Sequence, residues 1–186
     1  MGQLSYGEFG VAFVAHAVSP ERITEVLARI TGDRITVGPV AAGPGGAARA
    51  TCVGTLAPPR LRRRASDPLE FDVALPVTVA LTVDVAGSTH RYDGTLEVRF
   101  AIEVRTEAPL TIVVVPSHVS ARDVSVDVGA KGLRAKAVAA LGDLDGELRR
   151  EVAAYVNSRM AGDDAAAVTR IDLLPAIESA WAAGVI

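Results

Sequence analysis

The chain has 186 residues, of which 49% are hydrophobic and 22% charged, with a net charge of −3. That is enough apolar chain for one domain with a real core, and it excludes intrinsic disorder over most of the length. No apolar run approaches the roughly 18 residues of a membrane-spanning helix, and no global basic field draws the chain to nucleic acid.

The elements are predicted as follows. Phe9 to Val18 is apolar apart from His16, and Glu8 to Val18 reads as a first strand. Ser19-Pro20-Glu21 then opens a helix: Ser caps free N–H groups, Pro suits the first helical position, and Glu complements the dipole. Ile23, Val26, Leu27 and Ile30 form one apolar stripe on it, and Gly32 suits its C-terminus. Arg34 to Val40 is a short strand, Gly38 to Ala48 a flexible loop, Arg49 to Leu56 another strand, and Ala57 to Pro68 a second loop.

The strongest pattern follows. Phe71, Val73, Leu75, Val77, Val79, Leu81, Val83 and Val85 occupy successive odd positions, a period-two alternation far longer than the usual strand. Gly87-Ser88-Thr89 turns the chain. A second long strand from His90 to Arg105 places Tyr92, Leu96, Val98, Phe100, Ile102 and Val104 on one face. Such a hairpin brings Val79 near Leu96 to Phe100. Leu110 to Val115 and Val119 to Val128 give further strands, broken at Pro116. Helical spacing then takes over: a short helix over Leu133, Ala137, Val138 and Leu141, and a longer one through Leu144, Leu148, Val152, Tyr155, Val156 and Met160. Gly162-Asp163-Asp164 breaks it, and Asp172 caps a last helix to Ala183, which reads as an appendage (172–183) to a single domain over 1–186.

A strand of this length spans about 50 Å and curls as it twists. The long helix, at about 25 Å, covers only part of its apolar face. The fold class expected is therefore α+β: a long, highly twisted antiparallel sheet wrapped around a long C-terminal helix, with a short N-terminal helix. Its groove, lined by Phe71, Val73, Leu75, Val77, Val79, Leu81, Val83, Leu96, Val98, Phe100, Ile102, Leu148, Val152, Tyr155 and Val156, suits an acyl chain.

SPERITEVLARI running into RITVGPV, then LEFDVALPVTVALTVDV, RYDGTLEVRFAIEVRTEAPLTIVVV and the closing ELRREVAAYVNSRM resemble the tubular lipid-binding (TULIP) superfamily. That group includes bactericidal permeability-increasing proteins and synaptotagmin-like mitochondrial lipid-binding domains. The resemblance covers about residues 19 to 160 and implies lipid binding in a hydrophobic tunnel, and often a homodimer. Two other readings stand beside it: a helix-grip protein that binds small hydrophobic ligands or acts as a cyclase, and a homodimeric interaction module.

Chemistry-bearing residues are sparse. His16, His90 and His118 have no metal-like spacing, so no metal is expected, nor any cofactor or enzymatic activity. Cys52, the sole cysteine, reads as a small buried hydrophobe, and the lack of a disulfide partner fits a cytoplasmic protein. No Lys or Arg precedes Arg22, so the N-terminal stretch lacks the basic start of a secretory signal. The preference for Arg over Lys, with heavy use of Ala, Val and Gly, suggests a GC-rich bacterial genome. Gly43 to Gly46 lacks the Gly-Lys-Ser/Thr ending of a phosphate loop. Asp163-Asp164 and the Asp123/Asp127 pair read as turn and sheet surface before they read as cation ligands. The cluster Arg60, Arg62, Arg63 and Arg64 sits on the second loop, as a solvated surface or as a contact for anionic headgroups in a peripheral membrane encounter. No aromatic residue interleaves with these arginines as nucleic acid would require.

Overall fold

The structure is a computed structural model, and it describes residues 2–65, 69–128 and 144–184. The short helix predicted over Leu133 to Leu141 lies outside the described residues.

The chain opens with a helix where a strand is predicted. Helix α1 spans Tyr6–Ala17. Ser5 is its N-cap: the Ser5 hydroxyl accepts from the Glu8 N–H at 3.3 Å, and the Glu8 carboxylate accepts from the Ser5 N–H at 2.8 Å. This capping box overrides the apolar run behind it, which alternates with neither strand nor helix period. Helix α2 (Pro20–Thr31) follows as predicted, capped by Ser19 and ended at Gly32 with φ 69°. It buries Ile23, Leu27 and Ile30.

Strands β1 (Arg34–Ala42) and β2 (Ala48–Leu56) form a hairpin whose connecting turn is shorter than the loop predicted. In β1 the register shifts between Val37 and Val40. Gly38 lies there at φ 106°, and a Cβ on it would stand 2.5 Å from the Ala50 carbonyl oxygen. Strand β3 (Arg60–Arg63) lies inside the segment predicted as the second loop. It pairs with the first part of β4 (Glu70–Val85), and β2 pairs with the rest on the same side. Pro76, which has no N–H to donate, falls in the gap between them, where its carbonyl accepts from the Ala57 N–H at 2.9 Å.

The hairpin of β4 with β5 (Ser88–Glu107) is the backbone of the sheet. Its turn is tighter than predicted: Ala86 and Gly87 alone connect the strands, both with positive φ (49° and 81°). That combination matches the strand twist. The shorter turn resets the register. Val79 faces Gly94, not the Leu96 to Phe100 stretch; Leu96 faces Val77 and Phe100 faces Val73.

Strands β6 (Thr111–Pro116) and β7 (Val124–Val128) share the far side of β5, and β8 (Arg170–Asp172) pairs with β6. All pairings are antiparallel, and the sheet curls into a half-barrel. Helix α3 (Leu144–Met160) contacts β1 and β7, and so bridges the two sides of the curl. Helices α4 (Asp163–Thr169) and α5 (Leu174–Ala182) complete the described chain. Asp172 accepts from the Leu174 N–H at 3.0 Å, close to its predicted capping role. Among the described residues the class is thus α+β, with α3 against β1 and β7 and α2 packed on α3 and β3. No helix among the described residues is long and apolar enough to cross a membrane.

Candidate functional site

The long stripe lies where the alternation points, on the inner face. Phe71, Val73, Leu75, Val77, Val79, Leu81, Val83, Leu96, Val98, Phe100, Ile102, Leu148, Val152 and Val156 are all between 0 and 8% exposed and join one apolar cluster. Tyr155 is half-buried at its edge and donates its hydroxyl to the Arg34 carbonyl oxygen at 3.3 Å. The structure therefore brings these residues together in one buried interior, which Ile23 and Leu27 of α2 also join.

Apolar clefts open elsewhere, along the inner side of β6. One is a pocket of about 380 Å³ between α2, β6 and the pair α4–β8. Its walls are Ile23, Val26, Leu27 and Ile30 of α2, Val114 and Pro116 of β6, and Met160, Ala165, Val168 and Ile171 from the C-terminal elements. Of the predicted groove residues, Ile102 lines it. Its polar lining is confined to Arg22, Glu25 and Thr169. Arg22 donates to the Ala17 carbonyl oxygen at 3.0 Å. The helical stripe of α2 makes this wall: Ile23, Val26, Leu27 and Ile30 fall on one face, with Ile23, Leu27 and Ile30 buried and Val26 left half-buried.

A second, wider cleft of about 770 Å³ lies between α1, the β5–β6 turn and α5. Phe9 and Phe13 of α1, Leu110 of the turn and Ile177 of α5 line it, all between 38 and 60% exposed. The Phe9 and Phe13 rings stack at 6.2 Å between centroids. Ala17 and Val18 continue α1's course into the first pocket. Val14 and Ile112 border the wider cleft.

The arginine cluster is a strand, not a loop, and the strand divides it. Arg60 and Arg62 project to the outer face with Arg64, while Arg63 takes the opposite side. Its guanidinium lies 5.3 Å from the Phe71 ring centre, and it donates to the Ala15 carbonyl oxygen at 3.4 Å. On the outer face Arg60 pairs with Glu97, Arg62 with Asp72, and Arg64 with both Asp72 and Glu70. The hydrogen bond from Arg64, joined by one from Arg62, holds the Asp72 carboxyl below its ordinary range.

The remaining residues singled out are placed as follows. Cys52 is buried in β2, and burial pushes its thiol pKa up, away from the reactive thiolate. His118 approaches Asn157 at 3.3 Å. Asn157 itself clamps the Val119 backbone: its side-chain oxygen accepts from the N–H at 2.9 Å, and its amide donates to the carbonyl at 2.8 Å. Asp123 accepts from the Ser120 hydroxyl and N–H, which lowers its pKa. Among the described residues no three His, Cys, Asp or Glu side chains gather as a metal site would need.

Comparison with models of known protein families gives no match, and comparison with curated proteins gives none.

Proposed function

We propose that the protein carries a small lipid or another elongated apolar ligand without chemically changing it, and that the ligand sits in the pocket between α2, β6 and α4. The observation that supports this is the character of the pocket. A space of about 380 Å³ falls within the usual size range of ligand sites, and its walls are aliphatic with polar groups restricted to three residues. An acyl chain would replace water against the half-buried Val26, Val114, Met160 and Val168, at roughly 25 cal/mol per Å² removed from water. The sheet and helix arrangement is compatible with the tubular lipid-binding resemblance, and the ligand class remains the one that resemblance implies. The site shifts from the centre of the stripe to its β6 end. A cytoplasmic carrier fits the buried, unpaired Cys52.

Titration with a polarity-sensitive fluorescent acyl probe tests this. Saturable enhancement at one probe per chain, lost in Val114→Trp, is expected. A probe that stays dark, or that responds equally to the variant, contradicts the proposal.

A second reading, a homodimeric interaction module, is favoured by Phe9, Phe13, Leu110 and Ile177, all more than a third exposed around the wider cleft, and by the exposed Trp181 on α5. Sedimentation separates it: a dimer that Phe13→Ser with Trp181→Ser converts to monomer supports that reading, and a monomer at all concentrations removes it.

A further inference from the structure

Cross-strand register builds a second, independent site on the outer face of the sheet. Arg60 of β3 lies opposite Ala74 of β4, and Ala74 lies opposite Arg99 of β5. In the next row of the same face, Arg62 lies opposite Asp72, and Asp72 opposite Ala101. Residues two apart on a strand share a face, so Ala74 is framed by Arg60 and Arg99 from both sides, and Ala101 lies on the same face between Asp72 and Ser117. Because Ala74 and Ala101 are small, the surface dips between them. The result is a basin of about 590 Å³, walled by Arg60, Arg62, Arg64 and Arg99 and closed at one end by Ser117 and His118.

The charges in this basin are arranged in depth. Glu97 accepts from both Arg60 and Arg99, while Asp72 accepts from Arg64 at 2.8 Å and Arg62 at 3.4 Å. Glu70 accepts from Arg64 at 2.8 Å. Arg60, Arg62 and Arg99 are the more exposed partners in their pairs, whereas Arg64 is level with Asp72. Arg60, Arg62 and Arg99 are 68, 85 and 75% exposed, against 19% for Glu97 and 39% for Asp72. The carboxylates thus brace the guanidiniums from beneath, and the outermost layer of the basin is cationic. Each guanidinium carries five N–H donors, and these pairings use one or two of them. Asp123 also lines the basin, but its carboxylate is turned to the Ser120 N–H at 2.8 Å, and Arg122 stands beside it.

We propose that this basin binds a phosphate- or sulfate-type oxyanion. Planar guanidinium forks match the oxygens of such groups in pairs. Bracing by Glu97 and Asp72 holds the forks in place, so less side-chain freedom is lost on binding than with free surface arginines. Arg63, on the other face, has no part in the site. The proposal does not depend on the apolar pocket.

Calorimetric titration with glycerol phosphate, and flotation with phosphatidic acid vesicles against phosphatidylcholine vesicles, test it in two arms. Two variants are compared with the parent: Arg60→Gln with Arg99→Gln, which removes two of the three outer cations, and Ala74→Phe, which fills the basin without changing charge. Melting curves establish that both fold. Saturable binding in either arm that weakens roughly tenfold or more in both variants, and weakens with salt, is expected. Binding of the soluble phosphate ester assigns the basin to a small phosphorylated ligand, and binding to the vesicles alone assigns it to a lipid headgroup. Absence of saturable binding in both arms, or binding that both variants leave unchanged, overturns the proposal.

Discussion

Replacing a valine by tryptophan at two positions separates packed interior from pocket. Val98 is fully buried in the middle of β5, between Leu75 of β4 and Val124 of β7, themselves 2% and 0% exposed. An indole there overpacks the interior and costs about 1–3 kcal/mol or more. At roughly 2–4 °C per kcal/mol for a chain of this size, Val98→Trp should lower the melting temperature by about 2–12 °C. Val114 is half-buried and borders the 380 Å³ pocket, so the same indole has space to enter. Covering about 50 Å² more apolar surface contributes about 1 kcal/mol, which is offset by rotamer ordering of about 1 kcal/mol. Val114→Trp should melt within about 2 °C of the parent. Scanning calorimetry on ligand-stripped protein reads both. A Val114→Trp loss as large as that of Val98→Trp would show that the pocket cannot accept a side chain, and a tolerated Val98→Trp would show that the stripe is not tightly packed.

Three further outcomes follow from named contacts. Asn157→Leu leaves the Val119 N–H and carbonyl without their partners in a residue that is 1% exposed. It should cost on the order of 2–4 kcal/mol in chemical denaturation. Gly54→Ala places a Cβ 2.6 Å from Ile35 Cγ2 and 2.7 Å from Val77 Cγ1, and should destabilise by about 1–3 kcal/mol in the same assay. The depressed pKa of Asp72, caused first by its hydrogen bond from Arg64, gives stability that is present above the unfolded-state pKa and is lost as pH falls through the lower folded value. Asp72→Asn should therefore flatten the acid limb of the melting-temperature profile below about pH 4, and an unchanged limb would refute that role.

The elements legible in the sequence are those whose local and periodic signals agree. Ser19-Pro20 and the stripe from Ile23 to Ile30 specified α2, and the alternation from Phe71 to Val85 specified β4. Helix α1 was hidden because Phe9 to Val18 is apolar on every side. Only Ser5 and Glu8, spaced as a capping box, marked its start. Strand β3 was hidden by Pro58-Pro59 and four arginines. It exists because β2 stops at Leu56 and leaves the first part of β4 without a partner. The pocket draws its walls from α2, β5, β6, α4 and β8, elements distant in sequence, so no local pattern groups them. The stripe of α2 was visible, but nothing in it marks Val26 as the position left half-buried beside the buried Ile23, Leu27 and Ile30. The basin was half legible: Arg60, Arg62 and Arg64 share a face once the segment is a strand, whereas Ala74 and Arg99 join them only through register.

The location of the ligand is the centre of the account, and photo-crosslinking with an acyl chain carrying a diazirine near its end tests it most directly. Label sites found by peptide mass spectrometry should fall on α2 from Ile23 to Ile30, on Val114, and on Met160 to Val168, and should disappear in Val114→Trp. Label confined to Phe71 through Val83 and Leu96 through Phe100 would place the chain between sheet and α3 instead, and would contradict the site proposed beside β6.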